Sequence, residues 1–537
     1  MFRGSVSLLA ILAVGCASVD EELLSTQLPE PPAKWTAADD VADPPVGDWL
    51  APFGDDALYG LVNEAMIHNN TLLIAAANLE SARAGAKITR ANLFPQLNAQ
   101  GGASRNAIVS DPSLAAQAGG ASVSGGTSAK ELEQQFGVDA DGDGKLDGLD
   151  LFVGAAGGTP GQDGIAESPL PNRRVYINNY SLGAQISWEI DLWGRLTDET
   201  RAAYKDAKAS LADFEGTRLS IAGAVTQAWF SLIEARQQRE LAERDVAARE
   251  SNLRVTERRY ERGVASSLDV RLSRSALGSS QANLAFRQRT EKESARRLEV
   301  LLGRYPAAEL AAAEALPELA PLAGAGAPGD ILARRPDLVA AEARMEANGL
   351  RARAARKALL PRLTLTSQIG TSGPDLSDLI DPERLAGNIA AGLFQPIFQG
   401  GRVRANAKRQ RAVAEASLLT YAQTALQAYE EAENALDAET YLAASEAALK
   451  FAYEEAAAAE ELTERRYSSG TATIFDLLNA QTRRISAESS YILAQRQRVS
   501  NRVALYLAIG GDFITDAPAL AVTDAPALAA AETPKTE

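Results

Sequence analysis

Two hydrophobic periods divide the chain. Leu211, Phe214, Ile221, Val225, Trp229 and Leu232 recur at helical spacing and fall on one stripe of a long helix. Between Ser181 and Ile190 the period is two. Leu182, Ala184, Ile186, Trp188 and Ile190 alternate with Ser181, Gly183, Gln185, Ser187 and Glu189, as in a strand with one apolar and one polar face. Similar alternation over Leu97–Ala103 and Leu363–Ile369, and more weakly around Ile389–Leu393, predicts four strands, at about 97–105, 180–192, 363–371 and 387–398. The remaining ordered sequence reads as helix. Leu93-Phe94-Pro95 and Leu359-Leu360-Pro361 each end a helix, because proline pushes its predecessor toward an extended backbone.

The pattern is written twice. Arg259-Tyr260, Gly263 and Asp269 recur as Arg466-Tyr467, Gly470 and Asp476, an offset of 207 residues from Gly263 to Gly470. Gly194-Arg195 and Leu302-Gly303 recur at the same offset as Gly401-Arg402 and Ile509-Gly510. Each copy predicts a long helix, a glycine reversal and a second helix leaving it. Gly194 and Gly263 are 69 residues apart, so a continuous helix between them spans roughly 100 Å. Ala422, Ala425, Ala428, Ala432 and Ala435 line its counterpart, where small side chains admit close neighbours. The earlier proline stop repeats at 266, the separation of Pro95 and Pro361, so the first copy holds about 59 extra residues between its strands. The predicted order is a first repeat over 49–309 with its tip near 263, a linker over 310–330, and a second repeat over 331–512 with its tip near 470. An insertion occupies 106–172, and the tail over 513–537, rich in Ala and Pro, reads as disordered.

The first 15 residues read as a signal peptide: Arg3, a short apolar run from Val6 to Val14, and Gly15 before Cys16. That run is too short to span a bilayer. Residues 16–48, rich in Pro, Ala and acids, read as a tether. Among 537 residues there is one histidine and one cysteine, which excludes most metal, thiol and histidine-based catalysis. His68, beside the expected cap at Asn70-Thr71, reads as a surface or cap residue rather than a ligand. A net charge of −16 with no basic cluster argues against nucleic-acid binding.

Leu12-Ala13-Val14-Gly15-Cys16 resembles a bacterial lipobox, with Ala13 where leucine is commoner. Lipid would then be attached covalently to Cys16; the alternative is an ordinary signal peptide that contains a cysteine. Ala17 stands where an aspartate would resemble an inner-membrane retention signal, so the outer membrane is the expected address. The period-two segments fit a half-buried soluble sheet as well as a membrane barrel. That address, with Trp188 and Trp193 near one end, favours the barrel.

Asp191-Leu192-Trp193-Gly194-Arg195, Leu332 to Leu338 (with Arg334-Arg335-Pro336-Asp337), Leu360-Pro361-Arg362-Leu363 and the two tip turns together resemble TolC-type outer-membrane efflux factors. The likeness is to the lipidated NodT-like branch serving resistance-nodulation-division pumps and covers about residues 49 to 511. It implies a mixed, mostly α fold: duplicated helical hairpins in a trimeric periplasmic α-barrel, continuous with a 12-stranded outer-membrane β-barrel to which each chain gives four strands. It further implies a homotrimer, a periplasmic adaptor of the membrane fusion type and an inner-membrane pump. The family's aperture residues fall on Tyr467, Asp269 and Asp476, while the arginine of its best-known latch is replaced by Ala472 and a further carboxylate by Asn479. Tyr467 and Asp269 serve equally well as residues that pack and cap the turn. The expected function is a passive exit duct that hydrolyses nothing. The alternatives are the duct of a type I protein-secretion system or a coiled-coil structural lipoprotein without a pore.

Within the insertion, residues 139–150 fit a calcium loop of the EF-hand type. Asp139, Asp141, Asp143, Asp147 and Asp150 occupy positions 1, 3, 5, 9 and 12, Gly144 the sharp turn, and Lys145 offers its carbonyl at position 7. Aspartate rather than glutamate at Asp150 implies weak binding of Ca2+; the other reading is a solvated acidic linker.

Overall fold

The computed structural model describes residues 32, 34–37, 48–110, 173–322 and 324–513. They form two compact units: a helical one (through residue 90, then 194–359 and from 398) and a strand unit (91–193 and 360–397).

The helical unit holds α1 (Asp56–His68), α2 (Asn70–Ala91), α3 (Arg195–Glu261), α4 (Ser267–Leu301), α5 (Pro336–Lys357), α6 (Arg402–Ser468) and α7 (Ile474–Ala508). The duplication is carried to the residue. α2 and α5 are both 22 residues long, α3 and α6 both 67, and α4 and α7 both 35. α3 and α4 form one antiparallel hairpin and α6 and α7 the other, while α5 packs on both α3 and α6.

The helices share one core, in which Trp49, Leu58, Leu72, Phe230, Leu232, Leu298 and Leu302 are fully buried. Burying each leucine contributes about 1.5–3 kcal/mol. The Ala422, Ala425, Ala428 and Ala432 stripe of α6 is buried, as its small-residue spacing predicts.

Both copies use one device where a hairpin returns to the core. Gly303 closes α4 with φ 76°, and a Cβ on it would lie 2.5 Å from the His68 carbonyl oxygen. Gly510 closes α7 with φ 73°, and its Cβ would lie 3.0 Å from Cβ of Arg334, which corresponds to His68 in the repeat. Only glycine serves at both requirements together. His68 is the exposed last residue of α1, and the cap of α2 is Asn69, one residue earlier than expected. Asn69 Oδ1 accepts from Thr71 and Leu72 N–H, and its Nδ2 donates to the Leu301 carbonyl at 2.7 Å.

The Arg335-Pro336-Asp337 motif fastens the second repeat. Pro336 opens α5 where no N–H is needed. The Arg335 guanidinium, 9% exposed, pairs with Asp337 and Glu431 (2.7 Å each) and donates to the Ala508 carbonyl at 3.2 Å. Burial alone would lower its pKa; the two carboxylates reverse that and raise it.

Two stretches expected to be connectors are docked instead. In the tether, Trp35 is buried and donates to the Ala325 carbonyl at 3.3 Å, while Thr36 and Ala37 N–H reach Glu433. In the linker, Leu316 and Ala325 join the core. Average composition hid both, because one tryptophan or leucine outweighs several small polar neighbours in buried area.

The strand unit is a single antiparallel sheet in the order β1 (Gln96–Ser110), β2 (Arg173–Ile190), β3 (Arg362–Gly373), β4 (Ala386–Phe394). β1 and β2 run further than 97–105 and 180–192, since backbone pairing continues to Ser110↔Arg173 through segments without clean alternation. β2 ends at Ile190 and β4 at Phe394, short of 192 and 398; Pro396, which has no N–H to donate, follows closely.

Candidate functional site

Register assigns every strand residue to a face. Leu97 pairs with Ile186, Gly101 with Leu182, Ala184 with Ile369, and Leu363 with Leu393. Directly paired residues share a face, so these stand together with Trp188, Leu365 and Ile389. The opposite face carries Asn98, Gln100, Ser104, Gln185, Ser187, Thr364, Thr366, Gln368 and Asn388. A soluble half-buried sheet would cover its apolar face. Here Leu97, Ile389 and Leu393 are 69%, 78% and 70% exposed, and no strand residue belongs to a buried apolar cluster of the described residues.

Aromatic residues bracket this face. Trp188 donates its Nε1–H to the Leu93 carbonyl at 3.0 Å, and near the other end the Arg105 guanidinium lies 4.6 Å from the Tyr176 ring centre. Twelve residues separate Tyr176 from Trp188. That is roughly 40 Å along a strand and, at a tilt of about 45°, roughly 28 Å across, close to the ~25 Å apolar band of a membrane barrel. Among the described residues the sheet also has two unpaired edges, β1 and β4. No helix among the described residues is long and apolar enough to cross a membrane.

The second site is the pair of hairpin tips. Each reversal is local. Gly263 (φ 72°) and Gly470 (φ 80°) adopt the left-handed conformation, with Val264 N–H on the Arg259 carbonyl and Thr471 N–H on the Arg466 carbonyl, both 2.8 Å. Each outgoing helix begins with a capping box. Ser266 and Asp269 exchange bonds at 2.8 and 3.2 Å, and Thr473 and Asp476 do so at 2.9 and 3.2 Å. The Thr473 hydroxyl and backbone N–H hold the Asp476 carboxyl below its ordinary pKa. Asp269 and Asp476 are thus placed as helix caps within their own turns.

Tyr467 differs. It is 7% exposed, clustered with Ile474 and Leu477, and its hydroxyl lies 3.1 Å from Oγ1 of Thr256 on α3. Thr256 already gives its one proton to the Asn252 carbonyl at 2.8 Å, so Tyr467 is the donor. The Arg259 guanidinium sits 4.7 Å from the Tyr467 ring centre and reaches the Ser468 carbonyl. Ala472, where the family resemblance places an arginine, packs apolarly beside this cluster. The cation over the Tyr467 ring therefore comes from α3. Thr256 carried no signal that was read, and Arg259 was noted only as part of the repeat, although Thr256-Glu257-Arg258-Arg259-Tyr260 repeats as Thr463-Glu464-Arg465-Arg466-Tyr467.

Above the tips, polar bonds join α3 to α7. Gln238 and Ser489 exchange bonds at 3.1 and 2.8 Å, and Arg244 pairs with Glu488 at 2.5 Å. The lipobox Cys16 and the candidate calcium loop at 139–150 lie outside the described residues.

Comparison with known proteins agrees with this architecture. Residues 61–134, 165–304 and 327–511 match the family model described as outer membrane efflux protein. The chain is 28% identical to the pyoverdine export outer membrane protein OpmQ of Pseudomonas aeruginosa, covering 91% of this chain and 93% of that one. It is 28% identical to the toluene efflux pump outer membrane protein TtgC of Pseudomonas putida, covering 94% and 95%. The crystal structure of the Campylobacter jejuni CmeC outer membrane channel superposes with a TM-score of 0.73 at 20% identity, over 90% of this chain and 92% of that one. The family model spans both repeats, the strands and the paired tips, and the chain belongs to the outer membrane efflux protein family.

Proposed function

We propose that this protein is the passive exit duct of a tripartite efflux pump, working as a homotrimer. The observation that carries the reading is the uncovered apolar sheet face with its two open edges. In hydrocarbon every backbone N–H and C=O must be paired, so an open four-stranded sheet is not viable there. Three copies supply 12 strands, enough to close a barrel with the apolar residues toward lipid and the Asn, Gln, Ser and Thr face toward a water-filled lumen. The 67-residue helices give the duct its reach from the membrane into the periplasm. There a membrane-fusion-type adaptor and a resistance-nodulation-division pump deliver the substrate.

The duct itself needs no catalytic group, because the pump supplies the work. OpmQ and TtgC are named for pyoverdine export and toluene efflux, so selectivity is assigned here to the pump. Lipid on Cys16 adds an anchor to the same membrane, and Cys16→Ser is expected to abolish lipid labelling. The native mass of the detergent-extracted protein tests the assembly. Three chains are expected; a monomer or a dimer would contradict the duct, since neither four nor eight of these strands makes the inferred 12-stranded wall.

A further inference from the structure

The duplication leaves half of a contact unfilled. Within one chain, Tyr467 of the second tip docks on Thr256 and beneath Arg259 of the first. The same three residues exist in the opposite sense: Tyr260 on the first tip, and Thr463 and Arg466 on the second. In that set Tyr260 is 50% exposed, Arg466 is exposed and Thr463 half-buried. Identical chemistry is thus present twice and satisfied once.

The helices above the tips show the same imbalance. α3, covered by α7 of its own chain, exposes one large apolar side chain, Tyr260 itself. α6 has the same length and exposes six, among them Tyr441, Phe451 and Leu462, while α4 exposes Leu268, Phe286 and Val300. The operation that carries the first repeat onto the second turns α3 into α6 and α7 into α4 of another copy. α6 is therefore the face that a second chain's α4 would cover. The pairing is also distinguishable from the one inside the chain. Arg244 and Glu488, which pair between α3 and α7, correspond to Phe451 and Gln281, and Arg249 corresponds to Ala456. An α4 placed on α3 would leave Arg244 without its carboxylate, and an α7 placed on α6 would set Glu488 against Phe451.

We propose that each tip is completed by a second copy of this chain: Tyr260 inserts against Thr463 of the partner subunit and beneath Arg466 of the partner subunit. The contact is head-to-tail, so it propagates around a ring and closes only when the ring does. It rests on the trimeric reading above and extends it to named residues. Three tyrosine contacts within chains and three between them would then circle the tip.

The test is chemical cross-linking of the full-length membrane-embedded protein carrying Tyr260→Cys and Thr463→Cys. A short bismaleimide is used, because the tyrosine ring holds the two backbones further apart than a disulfide spans. Linked dimers and trimers are expected from the double variant. None is expected from either single variant, which retains Cys16 and so controls for that thiol. Tyr467→Cys with Thr256→Cys should link within a chain, visible by peptide mass spectrometry, and give no ladder. The native mass of the unsubstituted protein is measured alongside. A trimer whose double variant yields no ladder would overturn the tyrosine contact and leave the duct intact. A monomer would overturn both.

Discussion

Replacing Tyr467 with phenylalanine isolates one bond at the tip. The ring, its cluster with Ile474 and Leu477 and its position under Arg259 are retained, and only the hydroxyl donated to Thr256 is lost. Thr256 keeps its own bond to Asn252, so the substitution strands no buried proton. A neutral hydrogen bond contributes about 1 kcal/mol net, roughly fivefold in the balance between a joined and a parted tip. If the three Tyr467 contacts of a trimer part together, the contributions add to about 3 kcal/mol, on the order of a hundredfold. Asp269→Ala is the informative contrast. Its carboxylate caps α4 through Ser266, so its loss costs about 1 kcal/mol in the first helical turn without touching the Tyr467 contact. The assay is resting conductance of the purified protein in planar bilayers at fixed salt and voltage. Tyr467→Phe should raise it at least severalfold, Thr256→Val should do the same, and the pair should be clearly less than additive. Asp269→Ala should leave it near the starting level. A rise with Asp269→Ala and none with Tyr467→Phe would refute the assignment of the closed tip to the tyrosine.

Arg335→Ala removes the one group joining the start of α5 to Glu431 and the Ala508 carbonyl. Asp337 and Glu431 are both partly solvated and can rehydrate, so the loss should be about 2–3 kcal/mol, below the full cost of an orphaned buried charge, and faster amide exchange around residues 505–511 would report it. The depressed pKa of Asp476 fixes a sign with pH: its cap stabilises α7 above the unfolded carboxyl value of about 3.9 and is lost as pH falls through the lower folded value. Amide exchange at the start of α7 should therefore respond to acid in that window, and Asp476→Asn should remove the response. Millimolar calcium should protect residues 130–155 from proteolysis, and Asp139→Ala with Asp143→Ala should abolish that protection.

The long helices and the reversals between them were legible because their causes are local: stripe spacing, proline stops, left-handed glycines and Ser/Thr–Asp caps. Strand faces were legible for the same reason, as alternation reports the face whatever covers it. Which medium covers that face was legible only through the expected outer-membrane address and the tryptophans, since Leu97 and Ile389 read identically beside protein or lipid; their exposure in the folded chain agrees with lipid. Trp35, Thr256 and the role of Arg259 escaped because their partners lie about 200 to 300 residues away, at Ala325 and Tyr467. Arg335 was visible as a motif, but its role depends on the end of α7, which local pattern does not place beside it.

Single-channel recording bears most directly on the central claim of a passive duct. Purified protein added to a planar lipid bilayer, with salt on both sides and neither pump, adaptor nor nucleotide present, should produce discrete, uniform conductance steps. Leu97→Asp with Ile389→Asp should suppress insertion, because charge on the lipid face of a barrel costs free energy. Uniform steps abolished by that pair are the predicted result. A trimer that binds the membrane and never conducts, even with Tyr467→Phe loosening its tips, would contradict the account and leave a structural lipoprotein in its place.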